Sequence, residues 1–163
     1  MTLASYPQHM PEIVIRTAVA SDTAQLAELC FALWPECPRQ EHAQELAERL
    51  SGRTPGSLPL TYFVAQNPDG QLIGFVEAGL RSHADCCDPS HPVGFIEGWY
   101  VVPDFRRAGI GRRLVAAAEN WARSQGCREM ASDTQIENFA SQRCHEALGY
   151  EAVSRAVNYR KLL

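Results

Sequence analysis

Several familiar signals are missing from this sequence, and each absence excludes something. No apolar stretch approaches the roughly 18 residues of a membrane span, so no membrane partner is expected. Six cysteines stand at 30, 37, 86, 87, 127 and 144, with no CxxC pair among them. The cluster His83-x-x-Cys86-Cys87-x-x-x-His91 lacks the paired spacing of structural zinc sites, and no metal is expected. Residues 1–11 show no basic stretch followed by an apolar run, so a signal peptide is not expected. A cytoplasmic location with reduced thiols follows as the default. A basic excess is also missing: 19 Asp+Glu against 15 Lys+Arg give a net charge of -4 and a pI near 5.7. That argues against a nucleic-acid partner. The P-loop pattern G-x-x-x-x-G-K-[ST] is absent, and the dinucleotide fingerprint lacks its third glycine.

What is present reads as one ordinary domain. The 163 residues are 45% apolar and 21% charged, which leaves too little core for two domains. Residues 1–11 are expected to be a flexible leader and residues 12–163 a single domain. Ile13-Val14-Ile15 reads as a short buried strand. Asp22 with Gln25 suggests a capping box before the stripe Leu26, Leu29, Cys30, Leu33, and Pro35 ends that helix. Ala43, Leu46, Ala47 and Leu50 repeat the stripe, and Gly52 to Pro59 reads as a loop. Thr61–Gln66, the turn Asn67-Pro68-Asp69-Gly70 and Gln71–Arg81 form a hairpin. Gly94 to Val102 is an apolar strand, followed by a helix to about Gln125 and a strand over Arg128–Ser132. That order makes a parallel βαβ step. A helix carrying Ala140, Cys144, Ala147 and Leu148 comes next, and Tyr150–Ser154 and Ala156–Leu162 alternate like two final strands. The fold class is α/β: a mixed, mostly antiparallel sheet with one parallel βαβ step and helices on both faces.

Two features carry chemistry. After the apolar strand comes Pro103-Asp-Phe-Arg106-Arg107-Ala108-Gly109-Ile110-Gly111-Arg112, a strand-to-helix turn with two glycines among arginines. Amides at a helix start have no intrahelical partner and favour anions, so a pyrophosphate suits this turn. The second feature is Glu97, a lone carboxylate inside the most apolar run of the chain. Strand alternation would place it on one face with Phe95, Trp99 and Val101. An ionised carboxylate there needs a partner or a raised pKa, and both suit a site that receives an ammonium group and takes its proton. A backbone or arginine partner would serve a purely structural role equally well. Asp133 ends the neighbouring parallel strand, where ligands of open α/β sheets lie, although a turn or capping role remains open. Glu77 reads as part of a solvated strand face.

The turn Arg106-x-x-Gly109-x-Gly111, with Asn138 and Leu148-Gly149-Tyr150, resembles the acetyl-CoA signatures of the GCN5-related N-acetyltransferases. Leu33-Trp34-Pro35, Pro92 to Tyr100, Arg128-Glu-Met-Ala-Ser-Asp133-Thr and Tyr159-Arg-Lys resemble the aminoglycoside 6'-N-acetyltransferases within that superfamily. The resemblance implies the acetyltransferase fold over 12–163 and acetyl-CoA as donor. It implies acetyl transfer to the 6'-amine of an aminoglycoside in a ternary complex, and hence drug resistance. A homodimer is implied as well. Trp99, Tyr100 and Val101 would bond the pantetheine arm through their backbone; Arg106, Arg107, Ala108, Gly109, Ile110, Gly111 and Arg112 would wrap the pyrophosphate; Asn138 would touch the cofactor. Trp34, Glu97 and Asp133 would contact the aminoglycoside, with Glu97 as the base. Where many members carry a Tyr to protonate the leaving thiolate this chain has His145, and Tyr159 is a competing acid. A helix-face histidine packed on the sheet is the plainer reading of His145. The loop Ser82–His91 has Ala84-Asp85 in place of the Asp-Tyr pair common in relatives, and Ser154 stands where an acidic contact can occur. An acetyltransferase for a polyamine or peptide amine, or a non-catalytic acetyl-CoA sensor, would share the same glycine loop.

Overall fold

The computed structural model describes residues 12–52 and 58–162. The expected leader and much of the loop before Pro59 lie outside the described residues. Five strands lie in the order β1-β2-β3-β4-β5: Val14–Thr17, Leu60–Gln66, Leu72–Arg81, Val93–Val101 and Met130–Ser132. The first four pair antiparallel and β5 joins β4 in parallel, as the βαβ step requires. Among the described residues no helix is long and apolar enough to cross a membrane.

Helices cover both faces. On one, α1 (Thr23–Leu33) and α2 (Arg39–Leu50) pack Leu26, Leu29, Cys30 and Leu46 onto Tyr62, Val64 and Phe75. On the other, α3 (Ile110–Ser124) lays Ile110, Leu114, Val115 and Ala118 against Ala65, Val76, Ala78, Ile96 and Val101. A fourth helix, α4, spans Phe139–Ala147.

Three local expectations are corrected. β1 is an edge strand rather than a buried one: it pairs only with β2, and Val14 is 48% exposed. Asp22 and Gln25 form no capping box. Asp22 accepts from the Val19 amide and from both Nη atoms of Arg16, at 2.6 and 2.8 Å, and this guanidinium holds its carboxyl below the usual range. Gln25 Oε1 instead accepts the Leu72 amide at 2.9 Å, tying α1 to β3. Residues 150–162 form no strands and are almost wholly exposed, with Val153, Val157, Tyr159 and Leu162 facing solvent. A strand needs a neighbouring edge to pair with, and the tail meets none among the described residues.

The feature that shapes the site is an irregularity in β4. Glu77 pairs with Gly98 and Ala78 with Ile96, which leaves Glu97 as an extra residue without a partner on β3. This is a β-bulge, and it reverses which face the following residues occupy. Before it, Gly94 and Ile96 face α3; after it, Trp99 and Val101 do. Glu97 and Gly98 both face α1 and α2: Glu97 Oε1 sits 3.5 Å from where a Cβ on Gly79 would lie, and Trp34 presses on Gly98. The expected alignment of Glu97 with Trp99 and Val101 is therefore wrong. Two-residue alternation holds only while the register is unbroken.

Candidate functional site

The site forms where β4 and β5 part. Their pairing ends at the rung Ile96–Ser132, and β4 continues through Val101 with its outer edge unpaired among the described residues. The Val102 amide donates to Ile73 O at 2.9 Å, so backbone groups at alternate residues face β3. Tyr100 is accordingly turned to β3, and its carbonyl oxygen crowds Gly74. Trp99 and Val101 turn their N–H groups to the open edge. Of the three residues expected to bond a pantetheine arm, Tyr100 is thus faced the wrong way, and the other two present a ladder edge that an extended amide chain can join.

The open edge leads to the N-terminus of α3. Gly109 caps the helix at φ +76°, a conformation that a side chain would strain, and nothing lies near its missing Cβ. Gly111 allows close packing, since a Cβ there would meet the Trp99 ring at 2.8 Å. The first intrahelical bond of this turn runs from the Arg113 amide to Gly109 O, which leaves the preceding amides without helical partners. The arginines divide their work. Arg106 Nε donates to Val101 O at 2.8 Å and so braces the turn against β4. Arg113 donates to Ile13 O at 2.7 Å. Arg107, at φ +64°, and Arg112 are exposed beside the amides, as is Ala108. Ile110 is buried, so only its backbone serves the turn. These groups fit a pyrophosphate joined to an amide-bearing arm. Asn138 has a nearer task than a cofactor: its Oδ1 accepts the Ser141 amide and caps α4.

Glu97 is not a lone carboxylate. Arg81 Nε and Nη2 donate to its two oxygens at 3.1 and 2.7 Å, while the guanidinium lies 3.3 Å over the Phe95 ring. Both partners are partly exposed. Asp133 is exposed and directly follows Ser132. Because β4 and β5 are parallel, Glu97 and Asp133 are each the first residue past the last paired rung and emerge at the same end. Trp34, at the C-terminus of α1, packs edge-on to Phe75 and covers Gly98, so it walls the same region.

A second carboxylate lies deeper on this face. Glu77 is 8% exposed, a correction of the solvated strand face expected for it. Arg49 of α2 donates to it at 2.9 Å and also reaches Glu45. The Tyr62 hydroxyl donates to Glu77 as well. Burial nevertheless raises the Glu77 pKa; Arg49 and Tyr62 oppose that shift, while Glu45 and Glu97 add to it. Burial likewise raises the Tyr62 hydroxyl, and pushes the Cys30 thiol up to about 12, so that thiol stays protonated. Trp34, Cys37, His42, Glu45, Tyr62 and Glu77 are among the residues lining a cavity of about 260 Å³ beneath α2.

On the opposite face, His145 reaches the same rung. Its Nδ1 lies 2.8 Å from Ser141 O, which can only accept, so Nδ1 carries a proton. Nε2 lies 2.9 Å from Ser132 Oγ, itself 3.3 Å from Ile96 O. Two arrangements are possible. Neutral His145 accepts from the Ser132 hydroxyl; doubly protonated, it donates to Ser132, which then donates to Ile96 O. The ring sits edge-on between Trp99 and Tyr150, each 5.7 Å away. Tyr159 is 93% exposed in the tail and is not brought to this group. Ser132 and Arg81 escaped sequence reading; each ends a strand, a position that carries no signal until register is known. Among the described residues no group of three or more His, Cys, Asp or Glu side chains is placed to hold a metal.

Comparison with known proteins shows the family. The sequence pattern described as acetyltransferase (GNAT) family matches residues 22–150. The chain is 43% identical over 150 residues to aminoglycoside N(6')-acetyltransferase type 1 of Klebsiella aerogenes, covering 92% of this chain and 97% of that one. It is 40% identical over 148 residues to the protein of the same name from Stenotrophomonas maltophilia, covering 90% and 91%. Among solved structures, aminoglycoside N-acetyltransferase AAC(6')-Iy in complex with CoA is 37% identical, with a TM-score of 0.84 over 96% of this chain and 99% of that one. The same enzyme with the bisubstrate analogue CoA-S-monomethyl-acetylneamine gives a TM-score of 0.80 at 37% identity, over 93% and 99%.

Proposed function

The chain belongs to the acetyltransferase (GNAT) family, and on that premise we propose that it transfers acetyl from acetyl-CoA to the 6'-amine of aminoglycosides in the cytoplasm, giving resistance. The observation that carries this reading is the convergence of Glu97, Asp133 and His145 on the rung where β4 and β5 part. Carboxylates on one side and an imidazole on the other flank the open edge of β4. The relatives' names and the CoA-bound neighbour supply the substrate class.

In this reading the donor's phosphates lie on the amides at the start of α3, beside Arg107 and Arg112, and its arm pairs with the edge at Trp99 and Val101. Asp133 and Trp34 hold the polycationic acceptor. Its 6'-ammonium docks at Glu97, which takes a proton directly or through a water, a step worth roughly 10²–10⁴-fold. The free amine attacks the thioester carbonyl, and a strand N–H near Trp99 to Val101 stabilises the developing oxyanion. The new C–N bond forms as the C–S bond breaks, and the amide nitrogen sheds its second proton. The leaving thiolate takes its proton from doubly protonated His145 by way of the Ser132 hydroxyl, because Ser141 O holds Nδ1–H and Nε2 faces Ser132 Oγ. Overall, ammonium and thioester become amide, thiol and one released proton, with both substrates bound together.

We also infer a homodimer. Val153, Val157, Tyr159 and Leu162 of the tail and Phe139 of α4 are large apolar side chains left exposed, and β5 ends the sheet. A second copy would cover them and give the alternating tail an edge to pair with. Analytical ultracentrifugation should return twice the 18.1 kDa chain mass; a monomer at micromolar concentration overturns this inference.

The decisive assay measures thiol release from acetyl-CoA with kanamycin and with an analogue bearing a 6'-hydroxyl. Release with kanamycin alone supports the proposal. Equal rates with both refute the 6' assignment, and release only with a polyamine such as spermidine moves the enzyme to another substrate class.

A further inference from the structure

We propose that Arg81 is a specificity-determining residue: in the free enzyme its guanidinium occupies the place on Glu97 that the acceptor's ammonium takes, and an acceptor must displace it to react. The inference rests on the proposed role of Glu97. Its warrant is the pair itself. Arg81 engages both carboxylate oxygens, through Nε at 3.1 Å and Nη2 at 2.7 Å. Such a fork neutralises a carboxylate and uses a favourable acceptor direction on each oxygen. A carboxylate held this way is a weak cation site until the guanidinium leaves. Among the described residues no other side chain bonds the Glu97 carboxylate, so Arg81 is the protein group a ligand must displace.

The surroundings favour release. Arg81 is the last residue of β3 and opens onto the loop toward β4, and its side chain is 41% exposed. Gly79 puts no side chain beside the carboxylate, since a Cβ there would lie 3.5 Å from Glu97 Oε1, while Trp34 covers Gly98 and walls the other side. The Phe95 face gives the guanidinium a resting surface without adding a hydrogen-bonding lock. The sealed neighbour shows what a permanent pair looks like here: Glu77 is covered by α2, held by Arg49 and bonded by Tyr62.

The consequence is selection by charge number. A simple amine brings one ammonium and must displace Arg81 with that contact alone. A polycation brings a further ammonium group to Asp133, and this contact offsets the displacement. Discrimination thus comes from an element that opposes the wrong ligand as well as from contacts to the right one.

The test compares wild type, Arg81→Gln and Arg81→Lys by thiol release with kanamycin and with n-butylamine, with thermal melting as a check of folding. Removing a partly exposed pair should lower KM for kanamycin by about two- to five-fold. For butylamine kcat/KM should rise by more, so that the kanamycin-to-butylamine ratio falls. Arg81→Lys should lie between, since Lys keeps the charge and loses the fork. A KM that rises in Arg81→Gln and is restored by Lys would show that Arg81 merely positions Glu97, and would overturn the proposal. An unchanged KM and ratio would overturn it too. Absence of thiol release by the wild type with any amine would instead remove the underlying reading of the site.

Discussion

Two arginine–glutamate pairs lie side by side on one face of the sheet, and they do opposite work. Arg49–Glu77 is sealed beneath α2, with a tyrosine hydroxyl completing the shell around the carboxylate. Arg81–Glu97 sits one strand over at a bulge, with solvent reaching both partners. The side-chain chemistry is the same. Burial makes the first a fastening between helix and sheet, and exposure leaves the second exchangeable. A buried pair is strongly destabilising to break from one side, whereas an exposed pair contributes at most about 1 kcal/mol.

The comparison can be broken most directly at Glu97. Glu97→Gln should lower turnover by about 10²–10⁴-fold, the range of a positioned general base, while the melting temperature barely moves. A stability loss comparable to that of a core substitution would show that the open pair is also a fastening. At the sealed pair the expected effects reverse. Arg49→Ala leaves Glu77 buried without its cation and should cost roughly 3–5 kcal/mol in denaturant unfolding, with turnover per folded molecule largely kept. The double variant Arg49→Met with Glu77→Leu should recover most of that loss, because two apolar side chains leave no uncompensated charge. A loss below about 1 kcal/mol in Arg49→Ala would place the two pairs in one class.

The smallest effect is on pH dependence, and its sign separates Glu77 from Asp22. Burial raises Glu77 in the folded state, so the native chain binds a proton there that the unfolded chain has already lost. Its contribution is present below the ordinary glutamate value and is lost as pH rises through the raised one. Asp22 is lowered by Arg16, so its contribution is present above the ordinary aspartate value and lost as pH falls through the lowered one. Unfolding midpoints measured from pH 3 to 8 should therefore fall less with rising pH in Glu77→Gln, and less with falling pH in Asp22→Asn. Parallel curves for wild type and Glu77→Gln would mean that Arg49 and Tyr62 balance burial.

Much of this was legible in the chain. The strand, glycine turn and helix from Gly94 to Gln125 formed within a residue or two of expectation, because periodicity and turn chemistry act over a few neighbours. The hairpin at Asn67–Gly70 held for the same reason, with the Asn67 side chain accepting the Gln71 amide at 2.9 Å. Glu97 stood out as a charge in an apolar run, and it lies next to the last β4–β5 rung. Its face and its partner were not legible. The bulge depends on how β4 registers against β3, and Arg81 lies sixteen positions away across that register. Glu77 looked like a surface carboxylate because its own strand does not reveal that α2 covers it. The tail read correctly as alternating, yet forms no strand, since pairing needs an edge from elsewhere.

By itself, then, the sequence determined the order of elements as far as α4, the glycine turn that opens α3, and the placing of Glu97 inside the apolar strand and of Asp133 at the end of the next. These follow from φ/ψ preferences, hydrophobic period and residue chemistry, which are properties of neighbouring residues. Tertiary structure alone decided which carboxylate is sealed and which is open, which strand amides face the gap beside β5, and that His145 joins Ser132 at its mouth. Register, burial and the meeting of side chains from distant strands are set by the whole packing, because desolvation and hydrogen bonding depend on what lies across a gap rather than along the chain.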